Sequence, residues 1–123
     1  MAHWVIDGNN LLGARADGWW KDRAGASRRL AEELDRWAAE AAETVTIVFD
    51  GHRPEPWPDT AVDVRFAESS ARDAADDVIA ELVGDLHAGE PGLTVVTSDR
   101  GLAARLPPGV GRIGSGRFLQ RLG

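Results

Sequence analysis

Three short apolar runs, each followed by an acidic residue, constrain the fold of this chain more than any other feature. The runs cover residues 4–6, 45–49 and 93–97, and the acids that follow them are Asp7, Asp50 and Asp99. Short runs that are rich in β-branched residues and stop at turn residues are typical of buried strands. In an open parallel sheet, ligands bind just beyond the carboxyl ends of the strands. The pattern therefore predicts a site built from carboxylates at one edge of a sheet.

The segments between these runs predict an alternation of strands and helices. Helices are expected at residues 27–43, 71–86, 99–106 and from 115 onward, with further strands at 61–66 and 110–113. The inward face of the first long helix is expected to carry Leu30, Leu34, Trp37 and Ala41. Ser70 to Asp73 reads as a capping box that opens the second helix, and three prolines make residues 52–59 a loop. This order predicts one α/β domain over residues 1–123, with a parallel sheet covered by helices on both faces.

Composition narrows the functional classes. The net charge is −6, from 20 acidic and 14 basic residues, which counts against a nucleic-acid-binding protein unless several acids converge on a cation. The chain has no cysteine, no basic and apolar leader before the first strand, and no apolar run long enough to span a membrane. We therefore expect a cytoplasmic protein with no membrane partner.

The second helix adds a further acid to the predicted site. Asp76 lies three residues before Ile79 and seven before Val83, so it shares their inward face. Asp77 projects about 100° further round, toward the wetter side. Asp73 lies one turn earlier and could reach the same area, and both Asp73 and Asp77 could equally serve to stabilise the N-terminus of the helix.

Each strand-end acid has a simpler structural explanation when it is taken alone. Asp7 and Asp50 precede glycine and could be turn residues, and Asp99 could be a helix cap. Taken together, they would repel one another by about 4 kcal/mol per pair at 4 Å and an effective dielectric of 20. Such a cluster requires protonation or a cation, and carboxylate oxygens suit Mg²⁺ or Mn²⁺. Zinc does not fit, since the three histidines show no ligand spacing, and His52 is expected on a solvated loop.

The chain resembles the NYN family of PIN-like ribonucleases, and most closely its YacP-like branch. The matching segments follow the family order: VIDGNNLLG at 5–13, IVFDG at 47–51, ADDVIAELV at 75–83 and VVTSDRGL at 95–102. The terminal IGSGRFLQRL also resembles the end of this domain. The resemblance implies a three-layer α/β/α domain with a five-stranded sheet of order 3-2-1-4-5, and metal-dependent endonucleolytic cleavage of RNA.

The resemblance also implies roles for individual residues. Asp7, Asp76 and Asp99 match the family's catalytic metal ligands, Asn10 its orienting amide, and Asp50 a less constant ligand position. Related sequences often carry Glu where this chain has Asp77, which leaves the role of that shorter side chain open.

A polar segment with two tryptophans is the candidate for gripping substrate. Its aromatic and basic residues are Trp19, Trp20, Lys21, Arg23, Arg28 and Arg29. Stacking on tryptophan combined with phosphate contacts holds single-stranded nucleic acid with little sequence preference. The alternative is that the tryptophans cover the sheet edge and the arginines are a solvated face.

Three functions remain open from the sequence. The first is an endoribonuclease that uses Mg²⁺ or Mn²⁺ and acts on single-stranded regions of RNA. The second is a non-catalytic RNA-binding or ribosome-associated module with the same fold. The third is a receiver-type phosphoacceptor domain, which is disfavoured because Lys21 is the only lysine and lies far from the last strand.

Overall fold

The computed structural model describes residues 2–15, 18–90 and 92–123. The strands are β1 His3–Asp7, β2 Thr44–Phe49, β3 Asp63–Phe66, β4 Leu93–Val96 and β5 Gly111–Ile113. The helices are α1 Gly8–Gly13, α2 Arg23–Ala41, α3 Ala74–His87, α4 Arg100–Ala103 and α5 Ser115–Leu122. A 3₁₀ turn, Trp19–Lys21, precedes α2.

The five strands form one parallel sheet in the order β3-β2-β1-β4-β5. This order confirms the one that the family resemblance implies. It differs from the 2-1-3-4-5 order of receiver-type domains, which removes that alternative. β1 lies at the centre and pairs with β2 and β4, so the residues that follow these three strands meet at one edge.

Helices cover both faces of the sheet, as predicted. On one face, α1, α2 and α5 pack against Trp4 and Ile6. On the other face, α3 and α4 pack against Val5 and Val95. Because successive side chains of a strand point to opposite faces, β1 contributes to both cores. Each core also includes a fully buried side chain from a helix near the C-terminus. This side chain is Phe118 on the first face and Leu102 on the second.

The predicted boundaries of α2 and its inward face need correction. α2 begins at Arg23, because the Asp22 side chain accepts a hydrogen bond of 3.0 Å from the Gly25 amide and caps the helix. Ala41, predicted inward, is exposed, because it is the last residue before the chain turns toward β2 through Ala42, which has a φ of 56°. Ala38 takes the buried position on the preceding turn.

The predicted capping box before α3 is wrong. α3 begins at Ala74, and Asp73 precedes it without a side-chain capping bond. Ser69 rather than Ser70 bonds locally, since its hydroxyl accepts a hydrogen bond of 3.1 Å from the Ala71 amide. Because of this local hydrogen bond, α3 begins about one helical turn later than predicted.

Two other predicted elements are shorter in the structure. β3 starts at Asp63 because the amides of Ala61 and Val62 donate to the Asp35 carboxylate of α2, at 2.7 and 3.0 Å, instead of joining the sheet. α4 ends at Ala103, although it was predicted to reach Leu106.

Candidate functional site

Asp7 is the central side chain of the candidate site. It is the last residue of β1 and is only 5% exposed. One carboxylate oxygen accepts a hydrogen bond from the Thr97 hydroxyl at 2.9 Å, and the other accepts one from the Asn10 amide at 3.4 Å. The second bond caps α1, so Asp7 is both a helix cap and a buried carboxylate.

Gly8 allows the chain to turn directly after this acid. A Cβ atom at position 8 would lie 2.6 Å from the Phe49 ring and 2.9 Å from the Val48 carbonyl oxygen. Only glycine therefore lets α1 begin against the end of β2 without displacing that strand.

The charge on Asp7 is disfavoured in the folded protein. Burial, with a smaller contribution from the negative charges of Asp76 and Asp99, raises the pKa of the Asp7 carboxyl to about 6. The hydrogen bonds from Thr97 and Asn10 act in the opposite direction and lower this pKa. The fold thus brings the three predicted acids into one electrostatic cluster.

The raised pKa predicts that the metal-free protein loses stability as pH rises from about 4 to about 6. In that range the unfolded chain releases the Asp7 proton while the folded chain retains it. The free energy of unfolding therefore falls with each increase in pH. A pKa that moves from 3.8 to about 6 corresponds to roughly 3 kcal/mol, with no further loss from this group above pH 6. Urea unfolding across this pH range measures the effect.

Asp7→Asn is expected to remove most of that pH-dependent loss, and Asp76, whose pKa is also raised, accounts for part of the remainder. Asp85→Asn, which changes an exposed acid of α3, provides the matched control and is expected to keep the wild-type profile. A profile for Asp7→Asn that matches the wild type would contradict the assignment.

The adjacent acids of α3 lie in different surroundings. Asp76 is half-buried, and its pKa is raised first by burial and then by the charges of Asp99 and Asp73. The Asp77 side chain is 68% exposed and forms a salt bridge of 2.9 Å with Arg105. Helical phase therefore directs Asp76 toward the cluster and Asp77 toward α4 and solvent, while Asp73 lies exposed at the rim.

Asp99 has the structural role expected of a cap and also contributes charge to the cluster. Its carboxylate accepts a hydrogen bond of 3.0 Å from the Leu102 amide and caps α4. Its own amide donates to the Thr97 hydroxyl at 3.0 Å. Thr97 thus links the backbone of Asp99 to the carboxylate of Asp7, a connection that the sequence analysis missed because it treated Thr97 only as a strand residue.

Two neighbouring asparagines join the strand ends. The Asn9 side-chain carbonyl accepts a hydrogen bond of 2.7 Å from the Asp50 amide after β2. The Asn10 side-chain carbonyl accepts one of 2.8 Å from the Ser98 amide after β4, and another of 2.6 Å from the Ser115 hydroxyl of α5. Asn10 therefore orients the loop that carries Asp99, and Asn9, Ser98 and Ser115 are supporting residues that sequence reasoning missed. The adjacent Asn-Asn pair was the signal for Asn9.

Asp50 lies apart from the three coupled acids. Its carboxylate forms a salt bridge of 2.7 Å with Arg23, and its charge is not among those that shift the pKa of Asp7 or Asp76. Both residues line a cleft of about 200 Å³ at the ends of β2 and β3, with Phe49 and Phe66 on its apolar side. His52 lines the same cleft from an exposed loop.

Some of the predicted substrate-binding residues are exposed, and others already contact the rest of the protein. Trp20 is 61% exposed, whereas Trp19 packs against the core and lies under the Arg23 guanidinium, 5.9 Å from its ring centre. Arg28 donates to the Pro56 carbonyl at 2.7 Å and holds the proline-rich loop against α2. Lys21 and Arg29 are exposed.

Comparison with known proteins places the chain in a family. The sequence model of the family described as the YacP-like NYN domain matches residues 4–117. The chain belongs to the YacP-like NYN domain family. A comparison with curated protein sequences gives no match.

Solved structures of YacP-like proteins share the fold of this YacP-like NYN domain. The crystal structure of Rae1 (YacP) from Bacillus subtilis and that of its W164L mutant each have 22% identity to the chain. Their TM-scores are 0.78 and 0.79, and each alignment covers 99% of this chain and 74% or 75% of the other. At this identity the likeness concerns the fold.

The acids of this YacP-like NYN domain do not form a closed metal cage. Among residues 2–15, 18–90 and 92–123, no group of three or more His, Cys, Asp or Glu side chains lies close enough to bind one ion directly. The described helices also include none that is long and apolar enough to cross a membrane. The cluster is thus defined by burial and by mutual electrostatic repulsion.

Proposed function

We propose that this protein is a metal-dependent endoribonuclease that hydrolyses phosphodiester bonds in single-stranded regions of RNA. The observation that carries the proposal is the buried Asp7 carboxylate, whose pKa is raised to about 6 by burial together with the charges of Asp76 and Asp99. A cluster that opposes its own ionisation is costly to folding, and perturbed acids of this kind concentrate at functional sites. Membership of the YacP-like NYN family, whose fold is of the ribonuclease type, supports the same conclusion.

The chemistry of the side chains fits Mg²⁺ or Mn²⁺. Asp7, Asp76 and Asp99 offer only carboxylate oxygens, the ligands that these cations prefer, and Mg²⁺ keeps several waters, so that a few carboxylates suffice. A bound cation would lower the pKa of an attacking water and stabilise the leaving oxygen. We propose the same three acids as its ligands, with Asp50 as an additional ligand if it leaves Arg23.

The surrounding residues hold these acids in position. Thr97 donates to Asp7 and accepts from the amide of Asp99, so that one hydroxyl orients two of the acids. Asn10 fixes the backbone at Ser98, next to Asp99. These contacts pre-organise the acids before substrate binds, which lowers the cost of reaching the reactive geometry.

Trp20 is proposed to stack on an RNA base beside the site. Trp20→Ala is expected to weaken binding of a single-stranded oligoribonucleotide by about 1–3 kcal/mol, the usual contribution of one stacked base. Because Trp20 is 61% exposed, thermal stability is expected to stay near the wild-type value. Fluorescence anisotropy measures the affinity, and Trp20→Phe, which retains an aromatic ring, provides the control.

Retained affinity in Trp20→Ala would assign this side chain to the solvated surface. Arg23 and Lys21 lie in the same segment, but Arg23 is already paired with Asp50, so its variants would disturb the fold of the cleft as well.

Incubation of the protein with total RNA, with and without Mn²⁺, tests the proposed activity. Cleavage by the wild type that requires the metal and is lost in Asp7→Asn would support it. The absence of a closed metal cage among the described residues favours one alternative, a non-catalytic RNA-binding or ribosome-associated module. RNA binding without cleavage under any metal condition would favour that module.

A further inference from the structure

The last 24 residues of the chain carry a charge opposite to that of the rest. Residues 100–123 contain five arginines and no acidic residue, whereas residues 1–99 hold all 20 acids and nine of the 14 basic residues. The C-terminal segment is therefore strongly basic, although the overall charge is −6. Charge asymmetry within a chain is typical of proteins that bind nucleic acid.

This basic segment forms the edge strand β5 and the helices that precede and follow it in the chain. β5 is an edge strand, paired only with β4. α4 lies on the face covered by α3, and α5 lies on the face covered by α2. The arginines of α4, β5 and α5 therefore lie on both faces and one edge of the sheet, and Arg121 of α5 lies over Trp4 of the central strand β1.

Two contacts join this basic side to the acidic site. Arg112 of β5 donates to the Thr97 carbonyl at 3.2 Å, and the hydroxyl of the same threonine donates to Asp7. Ser115, the first residue of α5, donates to the Asn10 side chain at 2.6 Å. The N-terminus of α5 and the guanidinium of Arg112 therefore contact Asn10 and Thr97, the residues that hold the acid cluster in place.

Two further arginines continue the basic surface along α5. Arg117 and Arg121 are four residues apart, which places them on the same side of the helix at an axial separation of about 6 Å. Together with Ile113 and Gln120 they line an open groove of about 420 Å³. Both are exposed, and the Arg121 guanidinium lies 5.2 Å from the ring centre of Trp4.

Among the described residues, these three arginines lack the kind of acidic partner that Arg15, Arg23, Arg65 and Arg105 have. Within the described part of the chain, no carboxylate lies within 4.0 Å of a guanidinium nitrogen of Arg112, Arg117 or Arg121. Arg105, in contrast, is neutralised by Asp77. An unpaired arginine retains the donors that bind phosphate oxygens.

We propose that the groove lined by Arg117 and Arg121, with Arg112 on the adjoining edge strand, binds the phosphate backbone of the RNA on one side of the cleavage site. This inference rests on the proposed function. This groove includes Ile113 of β5, whereas the cleft lined by Arg23 and Asp50 lies at the ends of β2 and β3, so the two lie on opposite sides of β1. An RNA strand that crosses the acid cluster between them would be held by these arginines on one flank.

Binding of a labelled single-stranded oligoribonucleotide in EDTA, followed by anisotropy at several salt concentrations, tests the inference without cleavage. The variant Arg117→Gln/Arg121→Gln is expected to bind more weakly, and the slope of log affinity against log salt is expected to fall in magnitude by about 1.4, or 0.7 for each lost phosphate contact. Arg36→Gln removes an exposed charge from α2 that, like Arg117, has no carboxylate within 4.0 Å among the described residues, and it serves as the matched control for Arg117→Gln. It is expected to retain the wild-type slope.

Arg117→Gln alone, expected to lower the slope by about 0.7, keeps the test decisive if the loss of Arg121 from Trp4 impairs folding. An unchanged slope, an equal fall in the control variant, or no RNA binding by the wild type at low salt would overturn the inference. Failure of the proposed function would look different. Wild-type protein that binds RNA with an arginine-dependent slope but never cleaves it with Mn²⁺ would contradict the endoribonuclease and leave this surface in place.

Discussion

Asp7→Asn is expected to reduce metal-dependent RNA cleavage by more than about 1,000-fold, beyond the 10- to 100-fold typical of residues that only support a metal ligand. The amide has nearly the shape of the carboxylate but carries no charge, so the variant removes the buried negative charge that the proposed cation would neutralise. Cleavage of a defined single-stranded RNA at saturating Mn²⁺ measures the loss. Asp85→Asn makes the same chemical change at an exposed position of α3 and is expected to leave the rate unaltered.

The stability of Asp7→Asn separates a functional from a structural acid. At pH 7 the metal-free variant is expected to be at least as stable as the wild type, because removal of a charge whose pKa is raised to about 6 offsets the weakened hydrogen bonds to Thr97 and Asn10. Added Mg²⁺ is expected to stabilise the wild type more than the variant. A clear loss of metal-free stability would show that Asp7 serves mainly as the cap of α1.

Asp76→Asn is expected to lower the cleavage rate by orders of magnitude, whereas Asp77→Asn is expected to lower it by about tenfold or less. The Asp76 carboxylate is half-buried and feels the charge of Asp99, while Asp77 is exposed and paired with Arg105. Rates measured across a Mn²⁺ titration compare the two variants, which differ by one position on the same helix and lose the same charge. This pair provides its own matched control.

The opposite result would show that the roles of Asp76 and Asp77 have been exchanged. An inactive Asp77→Asn together with an Asp76→Asn variant rescued by excess metal would mean that α3 presents the second acid to the site. Arg105→Gln tests whether the salt bridge of Asp77 matters for the reaction, since it leaves both acids in place and removes the positive charge that pairs with Asp77 at 2.9 Å and lowers the pKa of Asp76. A rate close to that of the wild type is expected for this variant.

The secondary structure was predictable where local patterns dominate. The apolar runs that became β1, β2 and β4 are set by burial on both faces of a parallel sheet, which requires continuous hydrophobic stretches. The phase of α3 followed from the spacing of Asp76, Ile79 and Val83, since a helix repeats every 3.6 residues. Errors fell at the ends of elements: α3 starts at Ala74 and α2 starts at Arg23, because turns and caps depend on single hydrogen bonds.

The strands, the acids that follow them and the edge of the sheet where a site would form were all predictable from the order of residues along the chain. The contacts that connect these acids became visible only in the folded protein. Asp50 pairs with Arg23, 27 residues away, Thr97 joins Asp7 across 90 residues, and Asn10 reaches Ser115 across 105. The difference follows from the distance along the chain over which each property is set. Hydrophobic periodicity depends on neighbouring residues, whereas the partner of a carboxylate, the shift of its pKa and the exposure of an arginine depend on side chains that come together only on folding.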